Sequence, residues 1–142
     1  MRWQVFLGAA LLAATTSAVL AQSDRREATM KEVGRNFGTL NRMNRGQVPY
    51  DGTAASQAFG RIAESAAEFG TLFEGAPSPG GDALPSIWEN KADFDARIGK
   101  LSTDAKSAAT EASKDEASFK SAFADLQPQC GGCHQKYRKK DD

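Results

Sequence analysis

Hydrophobic residues recur every three or four positions in four separate stretches of this chain. Such spacing places apolar side chains along one face of a helix, whereas a half-buried strand would show strict alternation, which occurs nowhere here. The pattern therefore predicts an all-α protein with four amphipathic helices. The apolar positions, in chain order, are Met30, Val33, Phe37 and Leu40; Phe59, Ile62, Ala66, Phe69 and Phe73; Phe94, Ile98, Leu101, Ala105 and Ala108; and Phe119, Phe123, Leu126, Cys130, Cys133 and Tyr137.

Polar and helix-breaking residues mark the predicted ends of these helices. Ser23 or Asp24 is the expected N-cap of the first, and residues 75–85, rich in Pro and Gly, form the longest connection. Ser86 and Ser113 each precede a Glu by three positions, which predicts a capping box at the start of the third and fourth helices. Because the first and last connections are short, the helices are expected to form an antiparallel four-helix bundle.

The fourth helix contains residues that weaken a helix. Pro128 removes one backbone donor, and Gly131 and Gly132 each cost roughly 1 kcal/mol relative to Ala in a helix interior. We therefore expect a kink near residues 124–128 and an additional constraint on the last turns, which a covalently attached group would supply.

The N-terminus has the features of a secretory signal peptide, which we predict to comprise residues 1–21. Arg2 precedes an apolar run over residues 5–14 that is too short to span a bilayer, and small residues follow it. Cleavage after Ala18 and retention as a membrane anchor are the alternatives. Cleavage would leave residues 22–142 as a single exported domain without a membrane span, in an oxidising compartment outside the cytoplasm.

Length and charge narrow the functional classes. The chain has 142 residues, enough for one domain, with 18 basic and 18 acidic side chains. A net charge of zero provides no long-range attraction to nucleic acid, so no nucleic-acid partner is expected.

Both cysteines and the only histidine lie within five consecutive residues, Cys130-Gly-Gly-Cys133-His134. On a helix these three side chains share a face, so two thiols can form thioethers with haem vinyl groups while the imidazole ligates the iron. A redox dithiol would need a βαβ setting, and a zinc site would need further Cys or His residues. A disulfide between adjacent turns would constrain almost nothing. The motif predicts one covalent haem c per chain with His134 as axial ligand.

The small number of histidines and methionines restricts the identity of the sixth iron ligand. A second histidine is excluded, and after signal cleavage the remaining methionines are Met30 and Met43. Both lie on or near the apolar face of the first helix, so their spacing is compatible with core packing or with iron ligation.

The sequence resembles the cytochrome c′ family, the class II c-type cytochromes, over essentially the whole chain after residue 21. Class I cytochromes c carry the attachment motif near the N-terminus and a Met ligand downstream, whereas no Met follows Cys130 here. The resemblance rests on the attachment motif near the C-terminus, Arg26-x-x-x-Met30, Phe37-Gly38, the segment GQVPYD at 46–51 and the segment GGDALPSIW at 80–88.

This resemblance implies a left-handed four-helix bundle, a homodimer and a pentacoordinate high-spin haem that binds NO and CO. It also implies a periplasmic location and a role in electron transfer to partners that the sequence does not identify. The implied site residues are Cys130 and Cys133 for attachment, His134 as proximal ligand, Met30 over the distal face, Arg26 and Asp82 at the haem edge or propionates, Glu27 beside them, and Arg138 beside the proximal histidine.

Two other functions are compatible with a haem c protein of this kind. The related low-spin cytochromes c-556 share the bundle and use a first-helix Met as sixth ligand, a position that Met30 would fill. A haem peroxidase generally needs a distal acid–base group, and Met30, Val33 and Phe37 cannot transfer protons. We therefore predict that the protein is not an enzyme.

Overall fold

The described part of the chain is a four-helix bundle with one additional short helix. The computed structural model describes the backbone of residues 6–140 and the side chains of residues 20–140; residues 1–5 of the predicted signal peptide lie outside the described residues. The helices are α1 (Phe6–Asn44), α2 (Gly52–Thr71), α3 (Ser86–Glu89), α4 (Lys91–Glu111) and α5 (Glu116–Tyr137). No β-strand occurs in residues 6–140, so the predicted fold class is confirmed.

The helix starts differ from three of the sequence predictions. α1 begins at Phe6 and continues through the predicted cleavage point, so neither Ser23 nor Asp24 is an N-cap. Ser86 makes no capping bond, because its hydroxyl donates to the Lys136 carbonyl on α5 at 3.0 Å. Asp115, not Ser113, caps α5, since its carboxylate accepts from the Ser118 amide at 2.7 Å.

The third predicted helix is divided in two. Asn90, with φ −123° and ψ 41°, separates the single turn of α3 from α4. α5, in contrast, continues through Pro128 to Tyr137. The weak segment at Pro128 and the two glycines is therefore helical, and the Gln129 side chain donates to the Asp104 carboxylate on α4 at 2.7 Å.

The apolar face of each helix points inward, as predicted. α2 packs mainly against α1 and α4, and α4 packs against α5. Most of the predicted apolar positions are buried, and five are only half-buried. The five half-buried positions are Met30, Phe37, Phe69, Cys130 and Cys133. All five line one cavity, so the helical faces are interrupted where the bundle leaves room for a ligand.

Candidate haem site

The cavity is lined mainly by α1, α4 and α5, with Phe69 of α2 and residues 80–83 of the loop before α3. Its volume is about 580 Å³, within the range of ordinary cofactor and ligand sites. Every residue predicted for the site lines it. These residues are Arg26, Glu27, Met30, Asp82, Cys130, Cys133, His134 and Arg138.

The attachment motif lies on α5, where helical spacing directs its three side chains to the cavity. Cys130 and Cys133 are half-buried and are not bonded to each other. Burial raises the pKa of both thiols, so each is protonated at neutral pH. Burial also lowers the pKa of His134, and the positive charge of Arg138 lowers it further. The imidazole is therefore neutral near pH 7, which is the form that binds metals.

α1 contributes an apolar stretch to the cavity wall, which contains one of the two methionines, while Glu27 and Lys31 line the cavity from the same helix. Met30, Val33 and Phe37 line the cavity there. Met43, in contrast, is buried in the core cluster of the bundle and does not line the cavity. The structure thus separates two residues that spacing alone left equivalent, and only Met30 lies where a haem ligand or a distal lid would be required.

Arg26 is a buried cation, only 5% exposed. Its guanidinium donates to the Leu72 carbonyl through Nε (3.1 Å) and Nη2 (2.8 Å), and to the Ser78 carbonyl (2.7 Å) and hydroxyl (2.8 Å). It stacks over the ring of Phe73, 4.2 Å from the centroid. Desolvation lowers the pKa of Arg26, and no carboxylate in the described side chains forms an ion pair with it.

A buried cation without a countercharge is costly, which makes this part of the cavity suited to an anion. The indole ring of Trp88 lies beside Arg26, and its Nε1 is buried without a hydrogen-bond partner among the described residues. A carboxylate of a bound cofactor, such as a haem propionate, would supply Arg26, which lines the cavity, with a countercharge. The residues present therefore fit a haem group.

Asp82 and Arg138, predicted separately, lie together at the mouth of the cavity. Their side chains pair at 3.2 Å, and the Asp82 carbonyl accepts from the Lys139 amide at 2.8 Å. The Leu84 amide donates to the Tyr137 carbonyl at 3.1 Å. The loop thus holds the C-terminal end of α5. Glu27 also lines the cavity but is exposed and pairs with Lys31 one helical turn away.

Sequence reasoning missed Ser78, Asp93 and Arg97. Ser78 lies in a Pro- and Gly-rich loop, and its bond to Arg26 spans 52 positions, so no local pattern indicates it. Asp93 and Arg97 are spaced as an ordinary i,i+4 ion pair on a solvated helix face. Their contact with α5 becomes visible only after the helices pack.

The Cys-x-x-Cys-His motif on the last helix of the bundle lines the cavity, and this arrangement is typical of c-type haem proteins. Residues 21–138 match the sequence profile of the family described as Cytochrome C', and the chain belongs to the cytochrome c′ family. As the family and its relatives indicate, the protein is an electron carrier with covalently bound haem c.

Individual relatives include both branches of the family. The chain is 38% identical to a cytochrome c-556 of Agrobacterium tumefaciens over 84% of this chain and 95% of the relative. It is 35% identical to a cytochrome c' of Rhodopseudomonas palustris over 96% of this chain and 91% of the relative. The solved cytochrome c prime of Shewanella frigidimarina superposes with a TM-score of 0.78 at 32% identity, covering 86% of this chain and 97% of that one. Among the described residues, no helix is long and apolar enough to cross a membrane.

Proposed function

We propose that the protein carries a pentacoordinate, high-spin haem c that transfers electrons and binds NO or CO at its open iron position. The observation that carries this proposal is the composition of the cavity wall on α1, where Met30, Val33 and Phe37 face the cavity that His134 lines from α5. These three positions have no histidine, and the Met30 thioether is the one side chain among them that can ligate iron.

The residues of α5 would hold the cofactor. Cys130 and Cys133 would form the two thioether bonds, and His134 would be the axial ligand. When bound, haem c supplies an iron centre that exchanges one electron. The chain's own side chains exclude water with the apolar wall of α1 and provide a buried cation, Arg26, for a propionate.

The loop residues would fix the edge of the group. Asp82 and Arg138 pair at the mouth of the cavity, where Arg138 also lowers the pKa of His134 by its charge. Glu27 is assigned to the same edge on its position alone, because it lines the cavity while its carboxylate pairs with Lys31.

A second candidate is a low-spin electron carrier with Met30 as sixth ligand. It is favoured by the thioether that lines the cavity and by the relatives named cytochrome c-556. The two candidates differ in whether the Met30 sulfur is bonded to iron. CO added to the dithionite-reduced protein distinguishes them: rapid formation of a CO complex supports the open site, and an unchanged ferrous spectrum contradicts it.

We further propose export to the periplasm, with residues 1–21 as signal peptide and 22–142 as the mature domain. The family membership and the sequence pattern of the N-terminus support this location. We also propose a non-enzymatic function, because Met30, Val33 and Phe37 cannot transfer protons and the Glu27 carboxylate on the same helix is paired with Lys31.

We expect a homodimer formed through α1 and α2. It should dissociate when a glycine on the contact surface is replaced by a larger residue. A Cβ on Gly60 in α2 would meet no atom within 4 Å in the monomer, which permits a close helix approach by a second copy. Gly60→Glu should convert the dimer to a monomer in sedimentation equilibrium at micromolar concentration. Gly99→Glu, at an equally open glycine on α4, is the matched control and should remain dimeric. A monomeric wild-type protein would refute this arrangement.

A further inference from the structure

The carboxylate of Asp93 joins α4 to the last turn of α5. Its Oδ2 atom accepts from Arg97 Nε at 2.9 Å, from Lys136 Nζ at 2.9 Å and from the Tyr137 hydroxyl at 2.5 Å. Two of these donors follow His134 by two and three positions along α5. Asp93 thus links α4 directly to the last turn of α5, next to the attachment motif.

Tyr137 is a buried residue whose hydroxyl donates to Asp93. Its ring is only 3% exposed, packs edge to face on Phe94 with centroids 5.3 Å apart, and lines the cavity. The hydroxyl is the polar end of a buried side chain, and its bond to Asp93 has the length of a charge-assisted hydrogen bond. Hydrogen bonds from Arg97, Tyr137 and Lys136 hold the pKa of Asp93 well below its usual range, so it is ionised at neutral pH.

Arg97 is the second group that Asp93 orients. Its Nε is bound to the carboxylate, while its Nη1 lies 3.6 Å from the position that a Cβ on Gly132 would occupy. Gly132 is the residue before Cys133, and Arg97 itself lines the cavity. A cation is therefore placed directly beside the attachment turn, and Asp93 partly neutralises it.

Asp93 carries the one negative charge of the cluster that it forms with Arg97 and Lys136. Arg97 and Lys136 contribute two positive charges and Asp93 contributes one negative charge. Replacing Asp93 by a neutral side chain would leave two cations beside the attachment turn with no carboxylate between them. Added positive charge near a haem disfavours the ferric state, which carries one more positive charge than the ferrous state.

We propose that Asp93 is a positioning residue for the haem-bearing turn: it holds Tyr137 and Arg97 in place and sets the charge beside the haem, and thereby its reduction potential. The inference rests on the proposed attachment at Cys130 and Cys133. It concerns α4, which contributes none of the eight residues assigned to the site.

The test is the reduction potential of the haem-loaded Asp93→Asn protein. We expect a shift of about threefold in the ferric–ferrous equilibrium toward the ferrous form, equivalent to about 28 mV for one electron. Asp95→Asn is the matched control, because Asp95 is two positions away and pairs with Lys91 on α4. The same change of charge there should move the potential by much less. Equal shifts in the two variants, or none in Asp93→Asn, would overturn the proposal.

Arg97→Gln, with Lys100→Gln as its control, keeps the test decisive if Asp93→Asn folds poorly. Arg97→Gln should shift the equilibrium in the opposite direction, because it removes a cation, and Lys100→Gln on the same helix should not. The double variant Asp93→Asn with Arg97→Gln restores the local charge and should bring the potential back toward that of the wild type. An unchanged potential in Arg97→Gln would overturn the proposal.

The pKa of Tyr137 provides a second measurement, which reports on its contact with Asp93. Burial raises the pKa of its phenol, and the bond to Asp93 raises it further. In a Tyr50→Phe background Tyr137 is the one remaining tyrosine, so ultraviolet titration of tyrosine reports on it alone. The pKa of Tyr137 should be lower in Asp93→Asn and unchanged in Asp95→Asn. Covalent haem is measured separately by pyridine haemochrome. Its absence from the wild type would defeat the proposed function, whereas full haem content with identical potentials would defeat only the role of Asp93.

Discussion

A protein in which Cys130 and Cys133 are both replaced by Ala will lose all of its haem to acid acetone. The two thiols are half-buried on the cavity wall and are not bonded to each other, so each is positioned to form a thioether. Without them, only His134 and non-covalent contacts would retain the group, and acid protonates that imidazole. The wild type should keep its haem in the precipitated protein, and each single variant should keep it through one bond. Covalent haem in the double variant would contradict the assignment.

The same double variant should be much less stable. Loss of haem leaves a cavity of about 580 Å³ lined by side chains from α1, α4 and α5. We expect the free energy of unfolding to fall by at least about 3 kcal/mol, as for the larger core truncations. Denaturant titration followed by circular dichroism measures this, and equal midpoints for the variant and the haem-loaded wild type would show that the group does not stabilise the bundle.

Met30→Ala is expected to accelerate CO binding to the ferrous protein by about tenfold, equivalent to a barrier lower by about 1.4 kcal/mol. The expected effect is steric: Met30 and Phe37 line the cavity from α1, and in the proposed open site the thioether would act as a flexible apolar lid. Flash photolysis of the CO complex measures the rate. The ferric spin state should remain high if Met30 is a lid, since a lid would form no bond to iron.

Met43→Ala is the matched control on the same helix. Met43 is buried in the bundle core and does not line the cavity, so its removal should lower stability without changing the CO rate. If Met30 were the sixth ligand, Met30→Ala would instead convert a low-spin protein to a high-spin one. That result would assign the chain to the behaviour of the low-spin cytochromes c-556.

The helical pattern predicted the bundle because apolar side chains at spacings of three and four must be buried together. The exceptions are informative, since Met30, Phe37 and Phe69 follow the same spacing yet are half-buried around the cavity. Sequence periodicity does not distinguish a side chain that faces another helix from one that faces a ligand. The helix starts were less predictable. Ser86, for example, does not form the predicted capping box, because its hydroxyl donates to the carbonyl of Lys136, 50 positions away.

The candidate site was predictable where its chemistry is local and unpredictable where it depends on packing. Five consecutive residues contain the attachment motif and the only histidine, so Cys130, Cys133 and His134 could be named directly. Arg26 came only from a family resemblance, and its partners at Leu72 and Ser78 lie 46 and 52 positions away. Such contacts depend on how α1 meets the loop after α2, which no local pattern encodes.

The coordination of the iron is the central claim, and the absorption and electron paramagnetic resonance spectra of the ferric wild type at neutral pH test it most directly. An open position opposite His134, with Met30 as a lid, predicts a high-spin ferric spectrum at pH 7. A low-spin ferric spectrum at the same pH would show that a sixth ligand is bound and would contradict this account.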